Sequence, residues 1–526
     1  MHLEASSTHS GRGGAGRLDP NGRGTAAVTE KRLSVQAGAR LADLPQLQSA
    51  PEELRRDIRV VAQVLPFKLN NYLIEELIDW SRVPDDPIYR LTFPHRDMLP
   101  QEAFDTIAKL LDDGAPKDVL KAECDRIRLD LNPHPSDQLG KNVPMFDGER
   151  LFGFQHKYKE TVLFFPSQGQ TCHSYCGYCF RWAQFVGIRE LKQHNRDAEL
   201  LTRYLRAHPY ATDVLFTGGD PMIMSTKNLA VYLDTLLEAD LEHVQSIRLG
   251  TKALSFWPYR FVTDPDADDL LRLFDRCVQA GKHIALMAHF SHPQELSTPA
   301  VEEAIRRIRS TGAVIRTQAP LVRHVNDDAS AWAEMWDKQV RLGCIPYYMF
   351  VERDTGAKKY FEVPLAEAFQ IYSDANRQCS GLARTARGPS MSASPGKVTV
   401  DGISTIGGEK VFSLRFLQAR NPEWVGVPFH AKFDPTACWL NHLKPAFGEE
   451  KFFFEKDGCT DWRDLPEDPA VSRFVDSSAG QSDSGTWIHD VPANGNGHRN
   501  GNGHANGNGH ANGNGNGYRN GTGKGH

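Results

Sequence analysis

The stretch TCHSYCGYCFRW, residues 171–182, decides how this chain is read. It holds three cysteines within eight residues, Cys172, Cys176 and Cys179, in the spacing C-x3-C-x2-C. The other six, Cys124, Cys277, Cys344, Cys379, Cys438 and Cys459, are scattered, unlike a disulfide framework. They read as small buried hydrophobes of a reducing compartment. The triad is the exception. Thiolates are soft donors that suit iron–sulfur clusters. Three of them on a four-iron cube leave one iron without a protein ligand. The alternatives are a zinc site or three unrelated core cysteines. Zinc takes four ligands, yet no second CxxC pair follows, and His173 sits too close to Cys172 for an easy tetrahedron.

Outward from the triad, short β-rich runs alternate with helical segments. The runs are TVLFFPS (161–167), DVLFTGG (213–219), SIRLGTK (246–252), IALMAHF (284–290), AVIRTQA (313–319) and IPYYMFV (345–351). Helical periodicity fills 229–237, 268–280, 299–310 and 331–342. Strand–helix alternation predicts an α/β fold with a parallel sheet and helices outside. Six units predict a partial (β/α)6 barrel, with catalytic groups at the C-terminal ends of the strands. The cysteine loop follows the first of these strands. An open iron there can chelate the amino and carboxylate groups of S-adenosylmethionine, and one electron then releases a 5′-deoxyadenosyl radical. Tyr178, just before the last cysteine, would pack beside the adenine. TGGDP (217–221) ends the second strand. Gly218 and Gly219 would let backbone approach a ligand, and Asp220 could accept from the methionine ammonium.

The rest of the 526-residue chain bounds the function. Hydrophobic residues make up 40% and charged residues 24%, an ordinary globular balance. With 61 basic and 66 acidic residues the net charge is -5, which points to neither nucleic acid nor a membrane surface. No run of about 18 apolar residues predicts a membrane span. Residues 1–40 lack the apolar core of a secretory signal; their arginines leave organelle targeting open, and the expected location is cytoplasmic. Residues 1–50 are expected to be disordered and 51–153 mostly helical, from NYLIEELIDW (71–80) and QEAFDTIAKLL (101–111). The barrel is expected over 154–400, with a C-terminal extension at 401–470 and a disordered tail at 471–526. Asn-Gly-His repeats from residue 494 onward read as flexible, with weak metal binding by His498, His504, His510 and His526 as the alternative.

Taken together, residues 65–400 resemble the lysine 2,3-aminomutase family of radical S-adenosylmethionine enzymes. The resemblance rests on LPFKLNNYLIEELID (65–79), HKY (156–158), the cysteine loop, TGGDP, HFSHPQEL (289–296), LVRHVNDD (321–328), PYYMF (346–350) and SPGKV (394–398). It implies a radical S-adenosylmethionine barrel that also binds pyridoxal 5′-phosphate and moves an amino group from C2 to C3 of an amino acid. By resemblance, Lys397 would carry the pyridoxal, although the family's glycine run is reduced here to Gly396. Lys157 stands where the family has an arginine for the cofactor phosphate. Arg181 matches the arginine that pairs with the substrate α-carboxylate, and a planar guanidinium suits that task. His289 and Gln318 match positions near S-adenosylmethionine, though either could equally be a satisfied barrel residue. An electron donor such as flavodoxin or ferredoxin, and a homo-oligomeric state, are further expectations.

One departure bears on the substrate. Lysine-specific members hold the distal ammonium with two aspartates. One aligns with Arg353, next to Asp354, and the other with Ser390. A shift of one residue could restore Asp354 to the role, but nothing restores the second acid. Arg353 would repel a lysine side chain and attract an acceptor. The family's CxCxxC zinc run is also missing, so no zinc is expected. Two rival readings stay open. One is a radical epimerase or dehydrogenase without pyridoxal. The other is a non-catalytic iron–sulfur protein, against which TGGDP argues.

Overall fold

The computed structural model describes residues 28–456 and 461–464. At its centre is an eleven-stranded sheet whose spatial order is its chain order. The strands are β1 (Phe154–Tyr158), β2 (Thr161–Phe164), β3 (Asp213–Phe216), β4 (Ser246–Thr251), β5 (His283–His289), β6 (Val314–Leu321) and β7 (Ile345–Val351). Then follow β8 (Arg387–Ser392), β9 (Gly396–Ile406), β10 (Glu409–Ala419) and β11 (Pro428–Lys432). Neighbours from β2 to β8 are parallel. At the two ends β1 joins β2 antiparallel, and β8 to β11 run antiparallel in succession.

Six helices fill the parallel crossovers: Ala198–Arg206, Thr226–Thr235, Ala267–Gln279, Pro299–Arg309, Ala329–Arg341 and Leu365–Gln378. Their sequences say why. In Pro299–Arg309 the Thr298 hydroxyl accepts from the Val301 N–H, and proline opens the first turn. Ala300, Val301, Ala304, Ile305 and Ile308 form the buried stripe, while Arg306, Arg307 and Arg309 complement the C-terminal end of the helix dipole. Strand β5 is buried continuously from Ile284 to Ala288, as a parallel strand covered on both faces must be. Six β/α units thus make the partial barrel, and a seventh parallel strand, β8, follows them.

The sheet curls back on itself. Lys157 of β1 donates to the Ala393 carbonyl between β8 and β9. Arg420, just after β10, is fully buried. It donates to the Ser394 carbonyl at 2.9 Å, pairs with Asp461 at 2.9 Å, and reaches the Asn142 amide oxygen. These contacts bring the antiparallel end round to the first strand.

Three expectations change. Part of the 1–50 segment is ordered: Val35–Ala37 pairs antiparallel with Lys68–Asn70, and a 3-10 helix spans Gly38–Asp43. Leu41, Leu44 and Leu47 repeat every three residues and are buried, which is the period of a 3-10 turn rather than of a coil. The boundary at 400/401 falls inside β9, so the extension continues the sheet. The segment 71–80 is helical only to Leu77, where a π-turn over Leu73–Leu77 ends it. The Asn-Gly-His tail, the linker before it, residues 1–27 and Cys459 lie outside the described residues. Among the described residues no helix is long and apolar enough to cross a membrane.

Candidate active site

The C-terminal ends of β2 to β8 and the start of β9 open on one cavity of about 300 Å3. At one end of its lining stand Cys172, Cys176 and Cys179, and the lining also includes Lys157, Ser392, Lys397 and Gln418. Arg181, Gly218, Gly219, Asp220, His289, Gln318 and Arg353 line it as well. Residues spread over more than 240 positions of sequence therefore share one space.

The N-terminal region holds the cysteine loop in place. Asn70 is fully buried; its N–H donates to the Ser174 hydroxyl at 3.0 Å and its side-chain amide to the Phe256 carbonyl at 2.7 Å. Backbone bonds run from Tyr175 N to Lys68 O at 2.8 Å and from Gly177 N to Leu91 O at 2.7 Å. Gly177 must stay small, since a Cβ there would lie 2.9 Å from the Phe361 ring. The Arg181 N–H is directed at the Cys179 sulfur. Burial pushes the Cys176 thiol up to about 12 and the Cys179 thiol up to about 11. Three buried thiols in one loop need a cationic centre to become thiolates together.

Among the described residues, no group of three or more His, Cys, Asp or Glu side chains is arranged to hold a single metal ion. A four-iron cube offers a separate iron to each thiolate, so its ligands spread wider than those of one ion. Three soft donors from one loop, lining one cavity, fit such a cluster.

Gly218, Gly219 and Asp220 of TGGDP line the cavity, and the last two are also engaged by the protein itself. Gly219 N and Asp220 N each donate to Gly169 O at 3.0 Å, at the start of the cysteine loop. A Cβ on Gly219 would lie 2.3 Å from the Thr171 carbonyl oxygen. The glycines are needed so that one loop can pack on the other. The Asp220 carboxylate is taken up by the protein: Thr251 hydroxyl at 2.7 and 2.9 Å, Lys252 N–H at 2.8 Å and Met222 N–H at 2.9 Å. It ties the end of β3 to the end of β4, which leaves little capacity for a ligand ammonium. Gly219→Ala is expected to lower stability by about 1–3 kcal/mol. It should also lower the iron bound per chain, because the clash displaces the cysteine loop; thermal melting and iron analysis check this.

Around the cavity wall, Gln318 donates to His289 Nε2 at 2.8 Å, and burial holds the imidazole neutral with a pKa lowered to about 3. Lys252 forms a buried ion pair with Glu295 at 2.7 Å and reaches the Ser291 hydroxyl at 3.3 Å. Ser291 in turn bonds the Tyr178 hydroxyl at 2.9 Å, which fixes that ring.

Toward Lys397 the lining becomes aromatic and basic. The Lys397 amine lies 4.3 Å from the centre of the Tyr348 ring and donates to Gln418 Oε1 at 3.2 Å. Burial lowers its pKa to about 7, helped by the Arg248, Arg387 and Arg353 guanidiniums. A half-neutral amine inside a cavity is a nucleophile suited to a carbonyl. The site therefore fits an aldehyde cofactor such as pyridoxal 5′-phosphate, with Lys157 as a cation on the same wall. Arg181 is buried against Phe165, at 3.9 Å from its ring centre, and its Nε has no hydrogen-bond partner.

Two expected substrate residues are not at the cavity wall. Ser390 is fully buried, with its hydroxyl 3.4 Å from the Met349 carbonyl. It pairs with Thr399 across β9, while Ser392 pairs with Lys397 and lines the cavity in its place. The Asp354 carboxylate also lies off the cavity lining. Ser392, Tyr348 and Gln418 were missed by sequence reasoning. A strand assignment after Lys397 would have found Gln418, which pairs with Lys397 in register.

No protein-family profile matches the chain. An Aquifex aeolicus protein named "Putative L-lysine 2,3-aminomutase" is 30% identical over 409 residues, 78% of this chain and 96% of that one. The Clostridium subterminale L-lysine 2,3-aminomutase is 25% identical over 272 residues, 52% of this chain and 62% of its own length. The chain thus spans about three fifths of the Clostridium relative. Among solved structures, a radical SAM methyltransferase from Sphaerobacter thermophilus is 13% identical with a TM-score of 0.31, covering 53% of this chain and 91% of that one. A partial barrel with a three-cysteine loop after its first parallel strand defines the class of radical S-adenosylmethionine enzymes. Within that class the chain belongs to the lysine 2,3-aminomutase family.

Proposed function

We propose that this protein is a pyridoxal 5′-phosphate-dependent radical S-adenosylmethionine aminomutase. It would move an amino group from C2 to C3 of an amino acid. The observation that carries the reading is the single cavity joining Cys172, Cys176 and Cys179 to the amine of Lys397, whose pKa burial lowers to about 7. When bound, the cluster with S-adenosylmethionine supplies a hydrogen-abstracting radical, and pyridoxal phosphate supplies a conjugated system that spreads unpaired spin.

The chain's own residues position and enclose these groups. The three thiolates hold three irons. Lys397 presents its amine to the carbonyl, and Lys157 offers charge to the phosphate. Arg181 gives a planar fork to the α-carboxylate from a buried place, where such a bond is strong. Neutral His289, held by Gln318, can donate from Nδ1 toward the cavity without adding charge. The aromatic walls keep water from a reactive radical. A small redox carrier such as a flavodoxin or ferredoxin would supply the electron.

The test is anaerobic reconstitution followed by incubation with a panel of α-amino acids, S-adenosylmethionine and reductant. A β-amino acid is expected from at least one. None across a panel covering acidic, basic, amide, aliphatic and aromatic side chains would refute the reading.

A further inference from the structure

Arg353 is the cation that the reading above leaves without a task. It sits in the loop after β7 and lines the cavity. Its guanidinium carbon lies 4.3 Å from the centre of the Phe180 ring, and that of Arg181 lies 5.2 Å from the same centre. Two like charges thus share one aromatic ring in a largely enclosed space. Among the described residues the Arg353 guanidinium makes no hydrogen bond or ion pair with protein. Burial disfavours both charges and Arg353 further disfavours that of Arg181, while Tyr158, Asp354 and Glu352 favour the charge on Arg353.

Among the described residues no neighbouring acid is hydrogen-bonded or ion-paired to its guanidinium. Glu352 is buried, and burial pushes its carboxyl well above the usual range despite the pull of Arg353. Asp354 favours the Arg353 charge and its Oδ1 is buried without a hydrogen-bond partner, but it lies off the cavity lining and among the described residues forms no ion pair with Arg353. Tyr158, also nearby, keeps its proton because burial raises its pKa. Asp213 is engaged by Arg248 and Glu295 by Lys252. The loop is also held rigidly. Thr355 donates to the Asn132 carbonyl and accepts from Trp182 Nε1 at 2.8 Å, and Asn132 donates to Asp354 O at 2.7 Å. A half-buried guanidinium that lines the cavity without a hydrogen-bonded acid among the described residues is a receptor for an anion.

We infer that Arg353 binds a carboxylate on the substrate side chain, so that the substrate class is the α-amino dicarboxylic acids, of glutamate or aspartate type. This rests on the aminomutase reading and on Arg181 holding the α-carboxylate. One ligand then spans two guanidiniums that flank one ring. A side-chain ammonium in the same place would meet the like charge of Arg353, which selects against lysine.

The reconstituted enzyme is assayed with L-glutamate, L-aspartate, L-glutamine and L-lysine, as wild type, R353Q and R353K. Binding of each amino acid is measured in parallel by calorimetry. The expected result is β-amino acid from an acidic substrate and none from lysine. R353Q should lower kcat/KM for the acid about 100-fold, mostly through KM, with partial rescue by R353K and a smaller effect on glutamine. A melting temperature and an iron content equal to those of the wild type show that R353Q is folded. Turnover of lysine in preference to the acids, or an acid KM unmoved by R353Q, overturns the inference while leaving the aminomutase reading intact. Tight binding of glutamate with no β-amino acid from any substrate keeps the carboxylate site and rejects the reaction.

Discussion

Cys176→Ala protein, purified and reconstituted without oxygen, is expected to hold less than about one iron per chain against about four for the wild type. It should form 5′-deoxyadenosine at least ~1,000-fold more slowly. The reason lies in the loop geometry. Each thiolate holds a different iron, and the fourth must remain open for S-adenosylmethionine, so no spare protein ligand can replace a lost sulfur. Cys172→Ala and Cys179→Ala should behave alike. Cys344→Ala is the matched control, because Cys344 is buried just before β7, at the opposite end of the strands from the cavity. It should keep its iron. Loss of iron in the control but not in the triad variants would contradict the site.

Lys397→Ala is expected to abolish the pyridoxyl adduct that borohydride reduction leaves on the wild type. Rearrangement should fall by more than ~1,000-fold while reductive cleavage of S-adenosylmethionine persists. The pH dependence follows from the lowered pKa of about 7. Only the neutral amine attacks an aldehyde. The rate of pyridoxal phosphate uptake by the apo-protein should therefore rise about tenfold per pH unit below 7 and level off above it. The linkage to stability has the same sign. Between about pH 7 and the ordinary 10.5 the unfolded chain binds more protons at this amine than the folded chain. The destabilising contribution of Lys397 is thus full below pH 7 and is relieved as pH rises through that window. Uptake that is flat from pH 6 to 8, or an adduct elsewhere, would contradict the role of Lys397.

Much of the barrel was legible because its strands are long apolar runs set between helices with clear periodicity. The runs at 161–167, 213–219 and 345–351 correspond to β2, β3 and β7 with the starts unchanged. Strand β8 was not legible. Its sequence, RGPSMS, carries glycine, proline and serine, and only its place beside β7 makes it a strand. The hairpins β9 to β11 alternate more weakly and turn at Gly407 and Gly408, both in left-handed conformations. The cysteine triad could be read because its ligands are adjacent in sequence. The TGGDP glycines allow close approach, and that Gly219 packs on the cysteine loop beside the cavity is decided only by tertiary packing. Ser390 and Ser392 illustrate the same limit. They share a strand face, and which of them reaches the cavity depends on the pairing with Lys397 across β9.

The account stands or falls on whether the radical generated at the cysteines acts on an amino acid held at Lys397. Incubation of the reconstituted enzyme with substrate deuterated at C3 tests this directly. The account predicts a β-amino acid as product, with deuterium appearing also in 5′-deoxyadenosine and recovered S-adenosylmethionine. Stoichiometric 5′-deoxyadenosine with an epimerised or oxidised product, and no β-amino acid, would contradict it.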